Sequence, residues 1–420
     1  MEKIKVGIFG LGRGSSGIND LLLNGAEIVA LCDKDETRLK SAEEKLENAA
    51  AYTDFDEFIN HKGLEAIYIC NYFSDHARFA IKALEKNIHV LSEGLSNVTM
   101  AEGVALVRAF RKSEALYMLY ENYPFKTFSR EIKRVCDEGS LGKLLFAEGE
   151  YNHPFTPGEN WYHKPFATHW RNLIPATYYI THSLMPLIYF TGAKPKRVTA
   201  MPVFSEYSKE EHFNGIFNHD RASMMTTLND DDSVFRFAAW STFGGMNNHY
   251  RVCGTKGQVE NIAGTDGMIM LKYNKWELPE GMEENNYYKP ELNDKDEENI
   301  EKSGHGGGDY ITVREFLSCI RENRKPVFDV YLATLCSSVA ILGHRSQMEN
   351  GVPYDIPDFH KKEDLEKYEN DNLNPFYSPN GDEPTERSSS RPIEINREKI
   401  ANYDSEREKL IKELRKNKKS

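Results

Sequence analysis

Apolar residues in the first 120 positions fall in short runs of buried-strand length, separated by stretches of helical character. Lys5–Phe9, Glu27–Cys32, Ala66–Ile69, His89–Ser92 and Leu116–Leu119 read as strands. Ser16–Leu23, Asp35–Leu46, Asp54–Ile59, Asp75–Lys86 and Thr99–Ser113 read as helices between them. This βαβ rhythm predicts a parallel, doubly wound sheet. Its right-handed crossovers put ligands at the carboxyl ends of the strands.

After about Asn122 the pattern changes. Thr127–Glu138 reads as a helix that ends in Gly139-Ser140-Leu141-Gly142. Strand-like runs follow at Leu144–Tyr151, Pro195–Val203, Ala222–Leu228, Val234–Trp240, His249–Cys253 and Gln258–Ile262. Strands in succession predict an open, largely antiparallel sheet. Asp309–Glu322 and Val330–Gln347 read as helices that pack back onto the core. The expected fold is α/β: a Rossmann domain at 1–122, then an α+β domain with a large, mostly antiparallel open sheet at 123–359. A polar extension at 360–420 follows. Within it, Asn370–Pro392 reads as extended or disordered, and Arg397–Lys418 as a charged helix with little to bury.

Composition narrows the function. The 420 residues carry a formal net charge of −12, so a nucleic-acid surface is not expected as a main partner. No run approaches the roughly 18 apolar residues of a membrane span, and no signal-peptide core precedes the first strand. A cytoplasmic location without a membrane partner is the expectation. Cys32, Cys70, Cys136, Cys253, Cys319 and Cys336 are scattered without a CxxC pair, so neither a zinc site nor a disulfide framework is expected.

The first chemical signal is Gly10-Leu11-Gly12-Arg13-Gly14-Ser15, which follows a strand and opens a helix. Glycines there permit a tight turn and close approach of backbone to a pyrophosphate, and the helix N-terminus offers free N–H groups. Ser15 stands at the third position of the usual GxGxxG, although Gly12, Gly14 and Gly17 also fit a glycine spacing. Asp33 ends the next strand, where a carboxylate binds ribose hydroxyls and repels a 2′-phosphate. The expected cofactor is therefore NAD, with nearby Arg38 leaving NADP open.

Several further motifs occur in order: Cys70-Asn71-Tyr72-Phe73-Ser74-Asp75-His76, His89-Val90-Leu91-Ser92-Glu93, Glu121-Asn122, Gly139–Lys143 and His305-Gly306-Gly307-Gly308-Asp309. Together with the glycine loop, over about residues 4–357, they resemble the Gfo/Idh/MocA family of sugar oxidoreductases. The resemblance implies a sugar or glycoside substrate and a homodimer or homotetramer formed through the second sheet. It places Asn71, His76, Glu93 and Asn122 beside the cofactor, with Gly10, Gly12, Arg13, Gly14, Ser15 and Asp33. The alternative for His76 is a helix cap, and for Asp309 a helix cap rather than a site residue.

The chain departs from the family's Glu-Lys-Pro: it reads Glu93-Gly94-Leu95, so the lysine that assists hydride transfer is absent. Three other features resemble the NAD-dependent α-N-acetylgalactosaminidase branch, which also lacks the lysine. These are Tyr179-Ile180-Thr181-His182, Tyr151 after Glu148-Gly149, and Trp170-Arg171. Two functions follow. One is hydride transfer at a ring hydroxyl, C3, with release of an oxidised sugar. The other is a redox-neutral glycosidase: oxidation at C3, elimination across C1–C2, water addition and re-reduction. A non-catalytic NAD-binding regulator is a third reading, disfavoured by the density of proton-transfer groups.

Tyr179 and His182 would lie one turn apart at a helix start, as an acid/base and a proton-transfer or positioning group. Tyr151 is a second base candidate. His182 as a buried core histidine and Tyr151 as a packing residue are the competing readings. The aromatic, His-rich stretch Asn152–Tyr178 reads as a functional loop. In it His153, Trp161, His169, Trp170 and Arg171 are candidates for sugar contacts, Trp170 equally for core. His153, His163, His169 and His182 do not have metal-ligand spacing, so no metal is expected.

Overall fold

Short strands that are apolar on both faces are buried between two layers of helix, and residues 4–120 fold that way. The computed structural model describes residues 3–154, 164–205, 217–291, 293–378, 380–395 and 397–417. Strands β1 (Ile4–Phe9), β2 (Ala26–Cys32), β3 (Ala50–Tyr52), β4 (Ala66–Ile69), β5 (His89–Glu93) and β6 (Tyr117–Tyr120) form one sheet in the order β3-β2-β1-β4-β5-β6. All its pairings are parallel. The order reverses between β1 and β4, which opens a crevice at their carboxyl ends. Phe9, Phe55 and Phe79 pack ring on ring beneath that crevice, with centroids 4.4 to 4.7 Å apart.

The second sheet has nine strands. They are β7 (Leu144–Asn152), β8 (Pro195–Phe204), β9 (Asp220–Asn229), β10 (Val234–Ser241), β11 (Asn247–Gly254), β12 (Gly257–Asn261), β13 (Ile269–Tyr273), β14 (Asn285–Tyr288) and β15 (Tyr354–Asp355). Their order is β14-β13-β12-β11-β7-β10-β9-β8-β15, antiparallel throughout except for β7 beside β10. Helices Thr181–Thr191 and Val330–Met348 cover one face. The other face carries Met201, Met224 and Leu228, all exposed, beside an ionic ladder of Arg236, Glu148, Arg251 and Glu260. The short strand β13 and the polar strands β14 and β15 were not legible in the apolar pattern. Among the described residues no helix is long and apolar enough to cross a membrane.

The extension departs from the expectation of a loose tail. Asp371 makes two bonds to Arg345 (2.6 and 2.8 Å), and Ser390 gives its N–H and hydroxyl to the buried Asp220 (both 2.6 Å). Phe376 and Tyr403 are fully buried, the latter from the helix Arg397–Asn417. The physical reason lies in the body of the protein. Its buried Asp220 and His344 and its half-buried Arg345 need partners, and the polar tail supplies them.

His344 makes the point quantitatively. Its Nε2–H donates to the Arg387 carbonyl (2.8 Å) and its Nδ1 accepts from Gln347 (3.2 Å), a pattern that requires neutral imidazole. Burial pushes its pKa down to about 4, against about 6.5 for a free histidine. Between those values the unfolded chain holds the extra proton, so stability falls as pH drops from about 6.5 toward 4. The effect is at most about 3 kcal/mol. Denaturant titrations at pH 7 and pH 4.5 are expected to show a larger acid loss for the wild type than for His344→Gln.

Candidate active site

The crevice begins where β1 ends. Gly10 has φ +92°, and a Cβ there would lie 2.5 Å from the Asn71 nitrogen, so only glycine lets the two strand ends approach so closely. Gly14 and Gly17 seat the following turn on β1 and β4, because a Cβ would meet Ile8 at 2.7 Å or Tyr68 at 2.9 Å. Ser15 turns its hydroxyl back to the Leu11 carbonyl (2.7 Å). Asp33 at the end of β2 locks this loop: its carboxylate accepts from Leu11 N (2.6 Å) and Asp35 N (2.9 Å). Arg38 lies beside Gly12 and pairs with Asp35 (3.3 Å). Across the crevice the buried Oδ1 of Asn71 has no hydrogen-bond partner. A side-chain-free cradle, a ribose-height carboxylate and an unused acceptor fit a dinucleotide.

Two expected cofactor contacts lie behind this surface. His76 is buried, with Nδ1 on the Leu95 carbonyl (3.0 Å) and Nε2 on the Asn71 carbonyl (3.3 Å), so it props the loop from below. Burial lowers its pKa. Asn122 is buried as well and donates its amide to Asp309 (2.6 Å).

Asp309 is not a helix cap. It lies in the first turn of the helix Gly308–Glu322 and accepts from Arg13 (2.9 Å), Tyr120 (2.8 Å), Asn122 and His305 (2.8 Å). Burial alone would raise its pKa, but His305, Arg13 and Asn122 together hold it below the ordinary carboxylate range. Arg13 also reaches Glu93 (3.0 Å), which accepts from Tyr68 (2.8 Å). Burial opposes the charge on Arg13, yet Glu93 and Asp309 more than offset it. The ionic chain Glu93–Arg13–Asp309 thus joins the glycine loop to the second domain.

Beside that chain stands an aromatic cluster built on Gly149. A Cβ at Gly149 would lie 2.5 Å from the Ser183 carbonyl, so its absence lets the helix Thr181–Thr191 settle directly on β7. His182 thereby meets Tyr151, with centroids 4.8 Å apart, and Tyr123 at 4.2 Å. Tyr179 lies just before the helix rather than in its first turn, yet its ring is 5.5 Å from His182 and 5.8 Å from Tyr151. His182 Nδ1 donates to both oxygens of Glu121 (2.8 and 3.0 Å), a carboxylate with no exposure. That bond fixes the ring with Nε2 turned away from Glu121.

Burial raises the pKa values of Tyr151 and Tyr179, so both phenols are protonated; Arg171 pulls Tyr179 part of the way back. Arg171 is half-buried, within the electrostatic reach of Tyr179, Tyr151 and Glu93, and it stacks on Trp170 at 4.3 Å. The Trp170 ring packs against Phe73 (5.0 Å) and His169 (5.4 Å). His169 is buried, and its Nδ1 accepts from Arg171 N (3.3 Å). His153 lies 5.8 Å from Tyr151. Trp161 and His163 fall outside the described residues.

Glu121, Tyr123 and Lys126 were not singled out as site residues. Glu121 and Tyr123 flank Asn122 in the motif at the carboxyl end of β6, which is the signal that could have found them. Lys126 sits over the Tyr123 ring (3.9 Å), and burial lowers its pKa to about 8. Nothing in its sequence context marks it.

Comparison with known proteins agrees with this architecture. Residues 4–121 match the family model described as oxidoreductase family, NAD-binding Rossmann fold. Residues 129–260 match the GFO/IDH/MocA C-terminal domain, and residues 221–365 the C-terminal domain of glycosyl hydrolase 109. A glycosyl hydrolase family 109 protein of Streptomyces niveus is 25% identical over 401 residues, covering 86% of this chain and 78% of the relative. One from Bacteroides fragilis is 25% identical over 398 residues, covering 86% of each. Among solved structures, levoglucosan dehydrogenase in complex with NADH and L-sorbose has a TM-score of 0.71 at 15% identity, covering 85% of this chain and all of that one. Aldose-aldose oxidoreductase from Caulobacter crescentus has a TM-score of 0.66 at 17% identity, covering 84% and 100%. With the nucleotide-binding half and the domain that follows it both matched, the chain belongs to the Gfo/Idh/MocA oxidoreductase family and is an NAD-dependent enzyme.

Proposed function

We propose that this enzyme oxidises a ring hydroxyl of a sugar or glycoside, at C3, and that with a glycoside the same site carries the reaction on to cleavage without net redox change. The observation that carries this reading is the convergence of two separate proton-transfer arms. One is His182 backed by Glu121; the other is the Tyr151–Tyr179 pair beside Arg171. Oxidation of an alcohol needs one base. Elimination at C2 and protonation of the departing group need a second set.

Gly10, Gly12, Gly14, Ser15, Asp33 and Asn71 would hold the dinucleotide, with Arg13 and Glu93 at its edge. Bound NAD supplies the site that takes up the hydride and gives it back. His182 Nε2 accepts the C3 hydroxyl proton, and Glu121 stabilises the imidazolium that forms. The resulting ketone acidifies C2–H. Tyr179, in the field of Arg171 and with Tyr151 beside it, gives its phenolic proton to the C1 leaving oxygen as the C2 proton moves onto the phenolate so formed, which restores its protonated state. Arg171, His153 and His169 border the ring, Trp170 backing Arg171. Oxidation alone, with release of the product, would make the chain a sugar dehydrogenase. That second reading shares every residue of the first arm. A second copy of the chain, docked on the open sheet face around Met201, Met224 and Leu228, is the expected partner.

The deciding measurement is a panel of nitrophenyl α- and β-glycosides with and without NAD, reading nitrophenol and nicotinamide absorbance together. NAD-dependent nitrophenol release without net NADH is expected. Stoichiometric NADH without release selects the dehydrogenase, and a protein inert to glycosides and free sugars alike overturns the proposal. On the active substrate, Glu121→Gln is expected to lower kcat about 100-fold, with NAD affinity unchanged. Unaltered kcat would remove the His182–Glu121 arm. Asp33→Ala is expected to weaken NAD binding about tenfold, measured by titration calorimetry, and to narrow its preference over NADP.

A further inference from the structure

The C-terminal extension reaches the candidate site from behind. It first ties to the Rossmann domain: the Asp371 carbonyl accepts from Ala101 N (3.0 Å), and Phe376 packs on Phe73 (5.3 Å) and on Tyr178 (5.5 Å). It then crosses to the second domain at His344 and Asp220, and its last helix delivers Tyr403.

Tyr403 is fully buried, and its hydroxyl bonds two points of one loop. It donates to the Lys164 carbonyl (3.1 Å) and accepts from the Asn172 side-chain amide (3.3 Å). The same amide donates to the carbonyls of Phe166 (3.1 Å) and Ala167 (2.9 Å). Asn172 therefore closes the loop on itself, and Tyr403 fixes the closed loop to the body. Between the two anchored points lie Trp170 and Arg171. Trp170 is pressed on Phe73 from one side while Phe73 is pressed by Phe376 of the extension. The loop keeps its own turn through backbone bonds, from Asn172 N to the His169 carbonyl (2.8 Å) and from Leu173 N and Ile174 N to the Trp170 carbonyl (3.0 and 2.9 Å), so what an outside anchor sets is its seat on the body.

We infer that Tyr403 is a positioning residue for the Trp170–Arg171 segment, and that the C-terminal extension is a fixed wall of the substrate site. The inference rests on the reading of Arg171 as a group that faces the substrate. Loss of the Tyr403 hydroxyl removes its bonds to Lys164 and Asn172 at once and touches none of the bonds that hold the glycine loop and Asp33. The consequence is a selective loss of substrate binding.

The test uses the full chain with Tyr403→Phe, which keeps the buried ring, and Tyr403→Ala. Hydrogen exchange of the amides of residues 166–174 is expected to rise about tenfold in Tyr403→Phe and further in Tyr403→Ala, with no change at residues 10–15. KM for whichever substrate the wild type turns over is expected to rise at least fivefold, with NAD affinity unchanged. Unchanged exchange at residues 166–174, or a rise spread evenly over the chain, overturns the inference. So does a loosened loop with an unmoved KM. A wild type inert to all sugars sinks the functional reading, whereas the exchange pattern still decides whether Tyr403 holds the loop.

Discussion

Asp309 lies almost without exposure between the two domains and accepts hydrogen bonds from Arg13, Tyr120, Asn122 and His305. A carboxylate in that position costs several kcal/mol unless every donor is in place, so the donors and the carboxylate fix one another. Arg13 comes from the glycine loop, Tyr120 from the end of β6, and His305 from the turn that starts the helix Gly308–Glu322. Their agreement ties the glycine loop and the end of β6 to the start of that helix. It also sets the width of the crevice, because Arg13 carries the tie onward to Glu93 on β5. The aromatic cluster then stands where it does because Tyr123 and Glu121 flank the same Asn122.

The Rossmann half was legible because its signals are local. Short apolar runs, a glycine loop after β1 and a carboxylate after β2 each follow from backbone sterics or burial within a few residues. The central strands of the second sheet were legible for the same reason. Strands β13 to β15 were not: β13 is a single five-residue run set in polar chain, β14 and β15 are too short and polar to carry an apolar pattern, and β15 pairs with β8, far away in sequence. The candidate site divides in the same manner. Tyr151, Tyr179, His182 and Arg171 stand out as candidates in the sequence, all four through the branch resemblance, and the structure brings them into one cluster. Glu121 was passed over because its identity as a partner of His182 exists only after sixty residues of chain have folded back. Asp309 was read as a possible cap because a helix start is what the local sequence displays.

The extension shows how composition misleads. Residues 370–392 are rich in Asn, Pro, Ser and charge, which describes disorder when the segment is taken alone. What orders it is an unmet demand elsewhere. Asp220 and His344 are buried in the second domain and Arg345 half-buried, and each finds hydrogen bonds in the tail. A polar segment can be held as firmly as an apolar one when the body beneath it presents buried groups that only it can satisfy.

The missing lysine has a packing counterpart. A Cβ at Gly94 would lie 2.9 Å from the Thr181 methyl, so the space a longer side chain would enter is taken by the start of the helix Thr181–Thr191. That helix start sits where it does because Gly149 lets the Ser183 carbonyl close on β7, and it delivers His182 to Glu121. Glycine at 94, glycine at 149 and the Thr-His pair are therefore parts of one arrangement. A lysine restored at 94 would press on the element that carries the imidazole. On the proposed reading, the group that accepts the hydroxyl proton has passed from a flexible amine on the Rossmann edge to an imidazole backed by a buried carboxylate. An imidazole titrates near neutrality and can both take and return a proton within one cycle. A redox-neutral reaction needs that reversibility more than a simple oxidation does, because the proton taken at the first step must be given back at the last.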